Sequence, residues 1–223
     1  MLKIFKIYIL LSFIFLLIAC QTIPNTNEGK KKITAAQINA RLGMAYFERH
    51  DLQRAKQKFL LALDEAPTIP ETWYSMAYFL ENTGNKAKAK EYYLKAVQLS
   101  PGRGDVLNNY GTFLCRTGEY HNAINQFVKA TQDPAYLGQA AAYENAGLCA
   151  LKIPNKNKAG QFFERALSED PNRSVSLIEL AELNFKDHQY KQARTKLNAF
   201  LKISQPTMQS FLLEKKIDAK LLV

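Results

Sequence analysis

Small and aromatic apolar residues recur along this chain at the spacings of packed helices. The stretch NNYGTFLCRTGEY (108–120) shows the pattern, with aromatic residues and a glycine among polar positions before a second, turn-like glycine. Apolar residues that return every three or four positions are typical of helices with one buried face. Alanine, leucine, lysine and glutamine are abundant, whereas 10 glycines and 8 prolines are too few for a loop-rich β protein. The pattern therefore predicts an all-α chain.

The same apolar frame returns every 34 residues, with two extra residues before the fourth copy. Each copy has a small residue on a first helix, an alanine on a second helix, and a large apolar residue one turn after that alanine. Small residues let two helices approach closely, and the large residue fills the space between neighbouring units. The three sets are Gly43, Ala77, Gly111, Gly147 and Ala181; Ala55, Ala89, Ala123, Ala159 and Ala193; and Phe59, Tyr93, Phe127, Phe163 and Leu197.

A repeat of this length and residue pattern resembles the tetratricopeptide repeat. The resemblance implies helix pairs stacked into a right-handed superhelix, with prolines such as Pro67 and Pro101 ending second helices. The turns within the pairs are expected at His50, Gly84, Gly118, Pro154 and His188. The expected units are five full repeats at 36–69, 70–103, 104–137, 140–173 and 174–207, and a partial sixth at 208–223 that caps the last apolar face.

The first twenty residues predict a lipoprotein signal. Lys3 and Lys6 precede an apolar run over 7–18, which is shorter than the roughly 20 residues of a bilayer-spanning helix and has the size of a signal-peptide hydrophobic region. The run ends in LIAC (17–20), which resembles a bacterial lipobox. That resemblance implies acylation of Cys20 and cleavage of the chain before it. An uncleaved anchor or a simple secretory signal is the alternative.

The segment after the lipobox predicts a tether. With a signal peptide at 1–19, the mature chain would begin at Cys20 and continue as QTIPNTNEGKKK, which is polar and unpatterned. We therefore expect residues 20–35 to form a flexible link between the lipid and the first helix. Gln21 in place of aspartate favours the periplasmic face of the outer membrane, by resemblance to Gram-negative lipoprotein sorting. The acyl chains would be the only contact with the membrane.

Charge and chemistry point away from catalysis. The formal net charge is +10, and Lys3 and Lys6 would leave with the signal peptide. The other cations are scattered among acidic residues, as on a solvated basic surface rather than a nucleic-acid site. His50, His121 and His188 lie in turn-related positions, and no spacing suits a metal, a nucleophile or a phosphate loop. We predict no enzymatic activity, no cofactor or metal, and no nucleic-acid or small-molecule partner.

The repeat resemblance also implies a concave groove, lined by the first helix of each pair, that holds extended segments or helices of other proteins. The groove positions of the first two units carry methionine and aromatic side chains, which are the usual anchors of peptide recognition. Tyr74 and Tyr78 could instead pack against neighbouring helices, but a cluster of several such residues favours binding. The predicted groove residues, beside Ala40, are Met44, Phe47, Tyr74, Tyr78, Glu81, Asn108, Thr112, Arg116, Glu144, Leu148, Lys152, Ile178, Glu182 and Phe185.

Two cysteines remain once Cys20 is assigned to lipid. Cys115 and Cys149 both lie late in the first helices of adjacent units, and such helices pack side by side. In an oxidising compartment these positions can approach to the separation that a disulfide requires. The sequence predicts this bond, with two buried free thiols as the alternative.

Four stretches narrow the resemblance to one family. They resemble the PilF/PilW family of type IV pilus biogenesis lipoproteins, the pilotins of the outer-membrane secretin, over about residues 36–213. Membership implies six repeats and a role in delivering secretin subunits to the outer membrane and promoting their multimerisation. The chain departs from the family at the sixth unit, which is about one helix short. The stretches are NNYGTFLC (108–115), AYENAGLCAL (142–151), RALSEDP (165–171) and SFLL (210–213).

Two other functions are compatible with such an array. A general outer-membrane adaptor could scaffold peptidoglycan hydrolases or envelope assembly complexes. A periplasmic enzyme could carry the repeats as an appendage, but no residues remain to form its catalytic domain.

Overall fold

The structure, a computed structural model, describes residues 26–154 and 156–222. These residues form eleven α-helices and no strand. The helices are α1 Thr26–Glu48, α2 Leu52–Glu65, α3 Pro70–Asn82, α4 Lys86–Leu99, α5 Gly104–Arg116, α6 Tyr120–Ala130, α7 Gln139–Ala150, α8 Lys156–Glu169, α9 Ser174–Lys186, α10 Tyr190–Ile203 and α11 Met208–Leu221. The predicted signal peptide (1–19) and Cys20 lie outside the described residues. None of the helices just named is both long and apolar enough to cross a bilayer.

Consecutive helices form hairpins that stack into a curved array. Helices α1 to α10 make five pairs, and α11 packs on the last pair. Each first helix also packs closely on the first helix of the next pair, whereas the backbones of neighbouring second helices lie farther apart, as at α8 and α10, which are joined by the long side chains of Glu164 and Lys196. Because the first helices are closer together than the second helices, they lie on the inner, concave side. The all-α superhelix predicted from the sequence is confirmed.

A close contact between a glycine and an aromatic ring fixes three of the pairs. A Cβ atom on Gly43 of α1 would lie 2.8 Å from the ring of Phe59 on α2, closer than real Cβ atoms approach. A Cβ atom on Gly111 of α5 would likewise lie 2.8 Å from the ring of Phe127 on α6. The Phe59 ring also reaches the next pair, where its centroid lies 5.7 Å from that of Phe79. The aromatic residue therefore holds its own hairpin together and joins it to the following one.

Four of the turns within the pairs use a left-handed backbone conformation. Gly84 and Gly118 have φ values of 93° and 87°, and His50 and His188 both take φ of 60° at the equivalent places. A non-glycine residue in this region costs roughly 1–2 kcal/mol. The residue after His50 offsets part of that cost, because the Asp51 carboxylate accepts a hydrogen bond from the Arg54 amide at 3.1 Å and caps α2.

The beginning of α1 corrects the predicted tether. The sequence predicts a flexible segment up to residue 35, but α1 is already helical at Thr26, ten residues before the predicted first repeat at 36. Residues 27–34 are exposed, and burial begins at Ala36. Local contacts support this extension, since Lys32 pairs with Glu28 one turn earlier at 3.4 Å. A helix without a buried face has no apolar period, so the sequence pattern could not show it.

Adding a methyl group at Gly111 is expected to destabilise the array. The new Cβ would lie 2.8 Å from Phe127 and 3.2 Å from the carbonyl oxygen of Ala123, so α5 would have to move away from α6. We expect Gly111→Ala to lower the free energy of unfolding by about 1–3 kcal/mol, measured by urea unfolding followed by circular dichroism. Gly29→Ala is the matched control, because a Cβ there meets nothing within 4 Å. Equal stability of the two variants would contradict this packing.

Candidate functional site

The first helices α1, α3, α5, α7 and α9 line the concave face, and the predicted groove residues differ widely in exposure. They fall into three groups by solvent exposure. Half-buried are Met44, Phe47, Tyr74, Tyr78, Asn108, Thr112, Glu182 and Phe185. Exposed are Arg116, Leu148 and Lys152, and buried are Ala40, Glu81, Glu144 and Ile178.

A cleft between α1 and α3 is the most apolar part of this face. Its volume is about 320 Å³, and it is open to solvent on one side. Ala40, Met44 and Tyr74 supply the apolar wall. Arg41 and Glu71 lie at its edge. Neither edge residue is among the predicted groove residues, although Glu71 lies one helical turn before Tyr74 and that spacing could have identified it.

The acidic residue at the edge of the cleft, Glu71, is already engaged. One oxygen of Glu71 (Oε1) accepts from Arg103 Nη2 at 2.5 Å, while Oε2 is buried, closed to solvent, and has no partner among the described residues. Burial, together with the negative charges of Asp105 and Glu71, raises the pKa of Tyr74 to about 12, so its hydroxyl stays protonated near neutral pH. The cleft therefore suits an apolar side chain, which its wall of Ala40, Met44 and Tyr74 would contact.

A row of side chains in mutual contact lies next to the cleft along the groove. The Phe47 ring meets the Tyr78 ring edge-on, with 5.7 Å between centroids, and the Arg116 guanidinium also lies 5.7 Å from the Tyr78 centroid. Arg116 makes a bidentate pair with Glu81 as well, at 2.7 and 2.8 Å. Tyr78 thus packs against its neighbours, in agreement with the alternative interpretation of that residue. Glu81 is occupied by Arg116 and is a structural residue rather than a free groove contact.

Glu144 and Ile178 also correct the predicted site. The Glu144 carboxylate accepts from the Ser176 amide at 3.0 Å and from its hydroxyl at 2.8 Å, and it pairs with Arg173. It therefore caps the beginning of α9 from the neighbouring helix. Ile178 belongs to the buried core of the last pairs. Both side chains hold the array together and are closed to a partner.

Two of the remaining groove positions, Asn108 and Glu182, link neighbouring first helices by hydrogen bonds. Asn145 donates to Asn108 at 3.0 Å across α5 and α7. Gln209 of α11 donates to Glu182 of α9 at 2.8 Å. Burial opposes ionisation of Glu182, but this hydrogen bond and the one from Lys186 outweigh it and lower the pKa of the carboxyl. The later part of the groove therefore mixes polar side chains with the apolar Leu148 and Phe185.

The disulfide lies beside the groove. Cys115 of α5 and Cys149 of α7 are bonded, with Cα atoms 5.8 Å apart. Cys149 is fully buried, and Cys115 is half-buried at a groove-side position. The bond joins two adjacent first helices, so it fixes the angle between the third and fourth pairs. Elsewhere in the described chain, no three His, Cys, Asp or Glu side chains are grouped closely enough to hold a metal ion.

Comparison with known sequences finds repeat proteins of pilus assembly. Two models of the tetratricopeptide repeat family match residues 70–103 and 111–174. The type IV pilus assembly protein PilF of Pseudomonas aeruginosa is 29% identical over 188 residues, which span 84% of this chain and 74% of PilF. An uncharacterized protein of Haemophilus influenzae is 30% identical over 170 residues, or 74% of this chain and 90% of that protein.

Solved structures give the same result in three dimensions. The structure of Pseudomonas aeruginosa PilF is similar with a TM-score of 0.76 at 26% identity, covering 86% of this chain and 91% of that one. PilW, a widely conserved type IV pilus biogenesis factor, is similar with a TM-score of 0.72 at 26% identity, over 83% of this chain and 86% of that one. The similarity therefore extends over most of the helical array.

Proposed function

This chain belongs to the tetratricopeptide-repeat proteins of type IV pilus biogenesis, and on that basis we propose that it is an outer-membrane lipoprotein and pilotin. In this function it binds secretin subunits of the pilus system and promotes their localisation and multimerisation in the outer membrane. The lipid on Cys20 targets the protein to the outer membrane, and the groove holds the secretin during transit and assembly. No bond is made or broken in this process.

The observation that carries the proposal is the apolar cleft at the start of an array similar to PilF and PilW. The cleft lies between α1 and α3, and its apolar wall of Ala40, Met44 and Tyr74 is accessible from the concave side. Among the later groove positions, Asn108 and Glu182 are already hydrogen-bonded to neighbouring first helices. A secretin segment would therefore anchor at the first two pairs and run along the more polar remainder.

The chemistry of the cleft indicates what the bound segment carries. An apolar side chain would displace water from the wall formed by Met44 and Tyr74. An exposed, flexible segment can bind in the cleft without any change in the folded domains of the secretin. Its release when subunits assemble would therefore not require the secretin to unfold.

Blocking the cleft is expected to abolish secretin capture while leaving the fold intact. Met44→Glu places a charge against the apolar wall, so we expect the amount of co-purified secretin to fall at least about tenfold. The matched control is Leu61→Glu, since Leu61 is also partly exposed (45%) but lies on the outer helix α2. Both variants should keep the wild-type circular dichroism spectrum, although Met44→Glu is expected to melt at a somewhat lower temperature because Met44 packs against the core. A folded Met44→Glu protein that captures as much secretin as wild type would rule out the cleft.

Replacing Cys20 tests the membrane anchor separately. In Cys20→Ser the acyl acceptor is gone, so we expect the protein to leave the outer-membrane fraction of a sucrose gradient and to lose palmitate labelling. Gln21→Asp is the control for sorting, because it keeps the acceptor and is expected to move the labelled protein to the inner membrane. Recovery of Cys20→Ser in the outer membrane would contradict the lipid anchor without affecting the groove proposal.

A further inference from the structure

The second helices of the middle three pairs carry a row of cations on the outer face of the array. Lys95 of α4, Lys129 of α6 and Arg165 of α8 occupy the same repeat position, with the two extra residues of the fourth unit counted. Each lies two residues after the buried aromatic residue of its helix, and two residues turn a helix by about 200°, so each projects away from the core. All three are exposed. The same position is Leu61 in the first pair and Ala199 in the fifth, so the row is confined to the middle of the array.

The charge of this row is only partly neutralised. Helices α4, α6 and α8 contain eight basic residues and three acidic ones. None of the three cations of the row forms an ion pair within the described residues. Glu91 lies one turn before Lys95 but is not paired with it in the described part of the chain. Glu164 is already engaged, since it pairs with a lysine of α10 at 2.9 Å. The outer face of the middle pairs therefore favours a negatively charged partner.

An apolar trough lies beside the middle cation of the row. Its volume is about 600 Å³, and it opens between the second helices α4 and α6. Leu94 and Val97 of α4 form one wall, Leu107 of α5 lies at the floor, and Lys129 lies on the opposite wall. Leu94 is 40% exposed. Among the described residues that line the trough, none is acidic. The trough thus offers an apolar surface and one free cation.

The two neighbouring junctions repeat this arrangement. Lys95 Nζ lies 6.0 Å from the centroid of the Trp73 ring, and Trp73 stands 34 residues before the floor residue Leu107. The outer face therefore presents three troughs side by side, each with an aliphatic wall, a large apolar floor and a cation. In that order, these residues are Leu60, Trp73 and Lys95 in the first trough and Val128, Tyr143 and Arg165 in the third.

We propose that this outer face binds an extended segment of a partner protein in which one acidic and one apolar residue recur every three residues. The carboxylates pair with Lys95, Lys129 and Arg165, and the apolar side chains enter the troughs. Packed helices lie about 8–10 Å apart, and an extended residue spans about 3.3 Å. A segment that crosses the helices therefore meets a new trough at about every third residue.

The shape of the face favours a protein segment over other anions. A flat bilayer would touch the ridges of a convex surface but would not reach the floors of the troughs. The middle trough has aliphatic walls, Leu94 and Val97, on which a nucleic-acid base finds no exposed ring to stack. An extended peptide can place both a carboxylate and an apolar side chain in each trough.

This inference goes beyond the proposed pilus function and does not depend on it. The cleft lies on the concave side between α1 and α3, whereas the troughs open between second helices on the outer side. A segment on the outer face leaves the cleft free. The array could therefore hold two partners at once and raise the effective concentration of one near the other.

Fluorescence anisotropy with a defined peptide tests the outer face on the full-length chain in detergent. The probe is a fluorescein-labelled peptide of four glutamate–leucine–serine triplets. Its controls carry glutamine in place of glutamate, or serine in place of leucine. We expect saturable binding of the probe and at least about tenfold weaker binding of both control peptides. Lys95→Gln/Lys129→Gln and Leu94→Ser should each weaken binding of the probe at least about fivefold.

Matched variants separate the row from the general basic surface. Lys191→Gln/Lys202→Gln removes two exposed lysines of α10, an outer helix outside the row, and Ile203→Ser removes an apolar side chain of similar exposure (42%). Both should bind the probe like wild type, and circular dichroism should show that all variants are folded.

Four results would overturn the proposal. The full-length chain does not bind the probe, or the control variants on α10 lose binding as much as the outer-face variants. Alternatively, Met44→Glu in the concave cleft abolishes binding while Lys95→Gln/Lys129→Gln retains it. Finally, vesicles of phosphatidylglycerol bind in a way that depends on Lys95 and Lys129 while the peptide does not, which would assign the face to a membrane.

Discussion

The contact between a small residue on the first helix of each pair and a large apolar side chain on the second, an aromatic ring in four of the five pairs, sets the spacing on which the whole array depends. At Gly43 and Gly111 the ring lies less than 3 Å from where a Cβ atom would be, so the two helices pack closely. The Phe59 ring also reaches the following pair. Because the first helices lie close together on one side, the array curves and a groove forms along them.

Different parts of the groove contribute to partner recognition and to the stability of the array. The first two pairs leave an apolar cleft open between α1 and α3. Farther along, the first helices are joined by the Glu81–Arg116 pair, the capping of α9 by Glu144, and the Cys115–Cys149 bond. A groove whose later units are cross-linked keeps its curvature when a segment binds, so less conformational entropy is lost on binding. This rigidity suits a protein that must hold a flexible partner and then release it.

The repeat frame made the fold predictable, because few folds place small and aromatic residues at a fixed period of this length. It did not reveal the extension of α1 from Thr26, since an exposed polar helix has no apolar period. It also could not show that the carboxylates of Glu81 and Glu144 bond to other residues of the array. Their partners lie on the next repeat, and the position of a residue within its own repeat does not indicate whether a side chain of the following repeat binds it. Arg41 is recognisable as a cleft residue only from the packing of α1 against α3, whereas the helical spacing from Tyr74 could have identified Glu71.

Photocrosslinking in living cells tests the central claim most directly. A photoreactive amino acid at Met44 of the full-length chain would lie in the cleft, whereas one at Lys86 would lie on the exposed outer side of the array. Capture of secretin through the groove predicts a covalent adduct with the secretin from position 44 and none from position 86. An adduct only from position 86, or an adduct from position 44 with a peptidoglycan hydrolase in place of the secretin, would contradict it.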